Sequence, residues 1–150
     1  MGLLLVTLGC SSAEDEPRGP ELPAGWAGAS RITDFRQSTC GGSALEPHDE
    51  RIDVTVGRGA LLVVYSDAHF RCEQEVEGFV RGSAGSLDLL VQPVDMHPAS
   101  VAACDCLYEI TLALESLPPG DHAVTLYRRW DALNQPNDPV EIQTVLSAVP

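Results

Sequence analysis

Residues 104–115 read CDCLYEITLALE, and the parity of this stretch decides the fold. Apolar and polar side chains alternate along it, as they do in a strand with one buried face. Side-chain directions alternate along a strand, so Cys104, Cys106, Tyr108, Ile110, Leu112 and Leu114 share one face. Asp105, Glu109, Thr111 and Glu115 lie on the other, with Leu107 and Ala113 as apolar exceptions there. Both cysteines therefore point where the core points. Residues two apart on one strand sit ~6.6 Å apart at Cα with parallel Cβ vectors, at the far edge of disulfide reach. A Cys104–Cys106 bond does not suit a regular strand.

Outward from this stretch, short alternating runs are separated by turn residues. Residues 52–56 (IDVTV) and 60–66 (ALLVVYS) flank Gly57-Arg58-Gly59, a hairpin signal. Residues 75–80 and 87–94 flank a second turn at 81–86, and 104–115 and 122–130 are joined by Ser116-Leu117-Pro118-Pro119-Gly120-Asp121. Residues 140–149 make a last strand and 29–36 a weakly signalled first one. No segment carries a capped 3.6-residue period, so little helix is expected. The pattern predicts an all-β, antiparallel sandwich of about seven or eight strands.

Five cysteines occur: Cys10, Cys40, Cys72, Cys104 and Cys106. If Cys10 is otherwise engaged, four remain, an even number suited to an oxidising compartment. Three readings compete for those four. In the first, Cys104 and Cys106 pair separately with Cys40 or Cys72, which allows two connectivities; each closed loop would contribute ~3–4 kcal/mol in the chain-entropy account. In the second, His69, Cys72, Cys104 and Cys106, or Cys40 in place of His69, hold zinc or copper. The Cys-x-Cys spacing departs from zinc knuckles, and Met96-His97 is not placed as a blue-copper ligand loop. In the third, the thiols are a redox-active pair. Structural staples without a cofactor are the expectation.

The segment MGLLLVTLGC explains the fifth cysteine. Its apolar run from Gly2 to Gly9 spans at most ~12 Å as a helix, far short of a bilayer. It resembles the signal peptide and lipobox of bacterial lipoproteins, with Gly9 before Cys10 and Ser11 and Ser12 after it. Thr7 stands where Leu is usual, and no Lys or Arg precedes the run, which points to a translation start upstream of Met1. Myristoylation at Gly2 would want Ser or Thr where Val6 stands. The resemblance implies a diacylglycerol on Cys10, cleavage before it, and a place in the bacterial cell envelope. Ser11 resembles lipoproteins carried on to the outer membrane, facing the periplasm or the cell surface. Residues 11–28 are acidic and rich in Pro and Gly, as a disordered tether would be, with Trp26 packed on the edge of the domain.

Net charge is −13 and every basic residue is Arg, so a phosphate backbone would be repelled and nucleic acid is not an expected partner. Ser66, Asp67 and His69 read as a strand end running into a polar loop, not as a triad. His48, His97 and His122 read as exposed residues. The polar stretch from Asp131 to Pro139 lacks the spacing of a calcium loop and reads as a connection. Its Asn134, Asn137 and Asp138 are the first choice for meeting another envelope protein.

The stretch LPPGDHAVTLYRRW resembles the late strand–turn–strand unit of immunoglobulin-like domains in bacterial secreted proteins. The likeness covers roughly residues 50–130 and implies a turn at Leu117–Gly120 with Val124 and Leu126 entering the core. The whole chain then divides into a signal segment (1–10), a tether (11–28) and an immunoglobulin-like sandwich (29–150). A non-enzymatic, lipid-anchored protein for structural or interaction duty is expected.

Overall fold

The computed structural model describes residues 19–57, 59–83, 85–100, 102–134 and 136–150. The expected lipidation site Cys10 and the tether up to Arg18 lie outside them. Ten strands occur among the described residues: β1 (Ser30–Arg31), β2 (Asp34–Gln37), β3 (Gly42–Ser43), β4 (Arg51–Gly57), β5 (Ala60–Arg71), β6 (Val76–Ser83), β7 (Ser86–Pro93), β8 (Asp105–Leu114), β9 (Gly120–Arg128) and β10 (Val140–Val149). One sheet has the order β1-β6-β7-β9-β10 and the other β2-β8-β5-β4, with β3 also pairing β8.

The two sheets bury one shared core. Leu61, Val63, Tyr65, Phe70, Ile110 and Leu112 come from one sheet and Leu89, Val91, Val124 and Leu126 from the other; each is fully buried. Each such side chain contributes ~1.5–3 kcal/mol relative to exposure. Val124 and Leu126 thus enter the core, as the resemblance of residues 117–130 implied. The all-β expectation holds, with one departure from antiparallel pairing: β7 and β9 run parallel. Between them β8 lies in the opposite sheet, so the chain crosses the core twice and returns in its original direction.

β5 runs through Ser66, Asp67 and His69 to Arg71, where the sequence suggested a strand end. Tyr65 faces Ile110 and Ala68 faces Tyr108, so Ser66 and Asp67 together oppose a single residue. This is a β-bulge, with Asp67 at φ 55°. The bulge changes the inward parity from Leu61, Val63 and Tyr65 to Ala68 and Phe70. It keeps both halves of a twelve-residue strand facing the core.

The sheet containing β7 is buried on its outer face too. Trp26, Phe79 and Leu90 form a second apolar cluster there, with Tyr127 edge-on to Trp26 at 5.7 Å between ring centres. The Arg81 guanidinium lies 4.0 Å over the Trp26 ring and also binds Asp88. Gln92 Nε2 and Arg129 Nη1 both donate to the Glu21 carbonyl at 3.0 Å. Residues 21–28, compositionally part of the tether, are thus a strap packed on the sheet. This two-sided burial explains why Leu89-Leu90-Val91 breaks alternation.

Gly78 on β6 faces the Phe35 ring. A Cβ there would stand 2.8 Å from Phe35 Cδ2 and 3.0 Å from Leu112 Cδ2. Leu112 is fully buried and Phe35 packs against the core half-buried, so Gly78→Ala is expected to destabilise by about 1–3 kcal/mol through overpacking. Urea denaturation of the variant checks it, with Gly28→Ala, in open space, as the control.

Candidate functional site at the bridged end

Antiparallel β5 and β8 end together, where Phe70 faces Cys106 and Arg71 faces Asp105. One step further the Cys72 N–H donates to the Cys104 carbonyl at 2.9 Å. Opposed residues in such a hydrogen-bonded pair stand ~5.5 Å apart at Cα, within disulfide reach. Cys72 and Cys104 are bridged at a Cα separation of 5.5 Å. A second bridge, Cys40–Cys106, ties the connection between β2 and β3 to β8. Cys104 and Cys106 thus take separate partners. Cys106 is buried, as parity required, but Cys104 precedes the first residue of β8 and is exposed, against the expectation. The alternation is imposed by the ladder, and the ladder begins at Asp105.

The two bridges touch. Cys72 Sγ lies 3.2 Å from Cys106 Sγ, and since neither sulfur carries a hydrogen this is a direct contact between disulfides. The ligand set His69, Cys72, Cys104 and Cys106 is accordingly corrected. Metals take thiolates, and these three sulfurs, with Cys40, are consumed in covalent bonds. His69 Nε2 sits 3.2 Å from Asp105 Oδ2, and its ring packs edge-on against Trp130 and His48 at 4.9 and 5.3 Å. Among the described residues no three His, Cys, Asp or Glu side chains converge as metal ligands.

Beneath the bridges lies a polar network. Glu50 Oε1 accepts from the Tyr65 hydroxyl and from the His69 N–H at 3.1 Å. Arg128 Nη2 donates to Glu50 Oε2 at 3.1 Å, Nε stands 3.0 Å from Oε1, and the guanidinium lies 4.7 Å over Trp130. Burial, then the charge and hydrogen bond of Glu50, hold the Tyr65 phenol far above its ordinary pKa against the opposing pull of Arg128. Tyr65 is therefore a fixed donor.

A second carboxylate, Asp131, has no exposed surface. Arg71 Nε at 3.1 Å, Gln74 Nε2 at 3.0 Å and the Leu133 N–H at 3.0 Å all donate to it. Burial pushes its pKa up, but the hydrogen bonds from Arg71, Gln74 and Leu133, with the Arg71 charge, outweigh burial and leave it below the ordinary carboxylate value. A depressed native pKa contributes stability that is present above the unfolded value, ~3.9, and is lost as pH falls through the native one. Stability is expected to drop below about pH 4, and less steeply in Asp131→Asn; denaturant unfolding of both proteins at pH 6 and pH 3 checks this.

Asp131 also braces the loop expected to meet a partner. The Asn134 N–H binds the Asp131 carbonyl at 3.1 Å, the Asn137 carbonyl accepts from Arg129 Nε at 2.9 Å, and Asp138 is exposed. Of the three histidines read as exposed, His97 is, and pairs with Glu21 at 2.6 Å; His48 is half-buried. His122 is buried, its Nε2 2.9 Å from the Pro118 carbonyl, because it shares the inward parity of Val124 and Leu126.

An open groove of about 510 Å³ runs beside the Cys72 bridge, lined by Arg71, Cys72, Glu73, Glu75, Asp95 and Ala102 among others. The sequence reading missed Glu50, Arg128 and Gln74. Arg128 was the findable one: an Arg at the core parity of β9 demands a buried acid. No protein-family model matches this sequence, and searches of curated proteins and of solved structures give no match.

Proposed function

We propose that the chain is a lipid-anchored lipoprotein of the bacterial cell envelope. Its cysteine-bridged body is an immunoglobulin-like sandwich with a non-catalytic, interaction duty. The observation that carries this reading is the partition of sulfur: Cys40, Cys72, Cys104 and Cys106, the four cysteines among the described residues, are paired among themselves, so none of them is left over for Cys10. Bridges of this kind suit an oxidising compartment. The lipobox-like run before Cys10 supplies the chemistry for the odd sulfur, a thioether to a diacylglyceryl group that holds the chain at the membrane. Among the described residues no helix is long and apolar enough to cross a bilayer. Folds of this architecture serve many functions, so interaction duty rests on the exposed groove and the Asp138 loop, not on the fold. Another envelope protein is the proposed partner.

Intact mass of the membrane-extracted protein, alkylated under denaturing conditions, tests this. The expected species begins at Cys10, carries a diacylglycerol and takes up no alkylating agent without prior reduction. A Cys10 thiol free to alkylate, in a chain with no added glyceride, overturns the reading.

A further inference from the structure

We infer that the two bridges form one thiol–disulfide exchange unit, in which a small dithiol converts Cys40–Cys106 and Cys72–Cys104 into a single Cys72–Cys106 bridge. The inference rests on the bridged end alone and stands apart from the anchor at Cys10.

The four sulfurs form a continuous chain. Cys40 and Cys104 are its exposed ends, Cys72 is half-buried, and Cys106 is buried. The inner pair, Cys72 and Cys106, is already in contact at 3.2 Å. A disulfide bond is ~2.05 Å, so joining them requires roughly 1 Å of approach. Exchange proceeds by thiolate attack on a disulfide sulfur. An incoming thiolate bonds to the exposed Cys104 Sγ, the Cys72–Cys104 bond breaks, and its electron pair leaves on Cys72. The Cys72 thiolate then attacks Cys106, the Cys40–Cys106 bond breaks, and the exposed Cys40 sulfur leaves and takes a proton. The second thiol of the reductant resolves the mixed disulfide and Cys104 takes the other proton. The dithiol is oxidised to a disulfide, and the protein gains two electrons, two protons and the thiols of Cys40 and Cys104.

The product differs mechanically from the starting state. Cys104 ends the connection from Asp95 to Ala103, part of which walls the groove, and Cys40 pins the connection between β2 and β3. Exchange would remove the covalent tie from both connections, leaving them to their hydrogen bonds, and keep β5 clamped to β8. The exposed Cys104 gives the dithiol its approach from solvent, and Cys72, the leaving sulfur, lies in the wall of the adjoining groove.

The test treats native, oxidised protein with one equivalent of dithiothreitol, quenches with acid and alkylates. Trypsin cuts after Arg71 and a second protease cuts before Asp105, which separates all four cysteines into different peptides. The expected one-bridge species contains a Cys72–Cys106 cross-link with Cys40 and Cys104 alkylated. A one-bridge species that holds only Cys40–Cys106 or Cys72–Cys104 overturns the inference. The Cys40→Ser/Cys104→Ser variant provides a second reading. After air oxidation it is expected to show no titratable thiol among its remaining body cysteines, whereas two free thiols there count against exchange.

Discussion

The Cys40→Ser/Cys106→Ala variant is expected to lose about 4 kcal/mol of unfolding free energy, the largest loss of any cysteine pair in the chain. The Cys40–Cys106 bridge spans 66 residues, and a loop of that size restricts the unfolded ensemble by about that amount. Ala is chosen at 106 because the site is buried and a serine hydroxyl there would lack a partner. The Cys72–Cys104 bridge spans 32 residues and its removal should cost slightly less. It is nested inside the longer loop and short-circuits part of it, so the two losses should not add. Small domains have about 5–15 kcal/mol in total, so removing both bridges should leave little folded protein at 37 °C. Guanidinium unfolding of the two single-bridge variants and the bridgeless one checks the order. Equal, negligible losses would show that the bridges are passive.

The second large effect is expected at Glu50. Glu50→Ala leaves the Arg128 guanidinium, the Tyr65 hydroxyl and the His69 N–H without their shared acceptor. Arg128 is only 9% exposed, and stranding a buried charge costs about 3–5 kcal/mol. Glu50→Gln keeps the shape and one acceptor oxygen but removes the charge, and should fall between. The Glu50→Ala/Arg128→Ala double variant should lose less than the sum of the single losses, because the second substitution removes the very charge the first leaves bare. A double-mutant cycle in urea measures the coupling. Additive losses would mean that the pair is not coupled.

The sequence made the architecture legible because sheet burial writes itself as parity. Ile110 and Leu112 face the core for the reason visible in their spacing, and Val124 and Leu126 do so as the resemblance implied. The separate pairing of Cys104 and Cys106 agrees with the expectation although Cys104 lies outside the strand the expectation assumed, and the choice of partners depended on register, which parity does not encode. Other features escaped because they are two-body facts. The parallel run of β7 beside β9 depends on which sheet receives β8. Glu50 precedes β4 and meets Arg128 across 78 residues of chain. Asp131 looked like a loop acid because its donors, Arg71 and Gln74, come from the far end of β5 and the turn after it. Strands as short as β1 and β3, each two residues long, carry too few residues to show any period.

The nesting of the bridges also governs what a protease could achieve. Any single cut in the connection from Asp95 to Ala103 falls inside both covalent loops, so the two pieces stay linked through Cys40–Cys106 and Cys72–Cys104. A nicked molecule would migrate as one band on a non-reducing gel and as two after reduction. Clipping at this rim would therefore alter the surface without shedding a fragment.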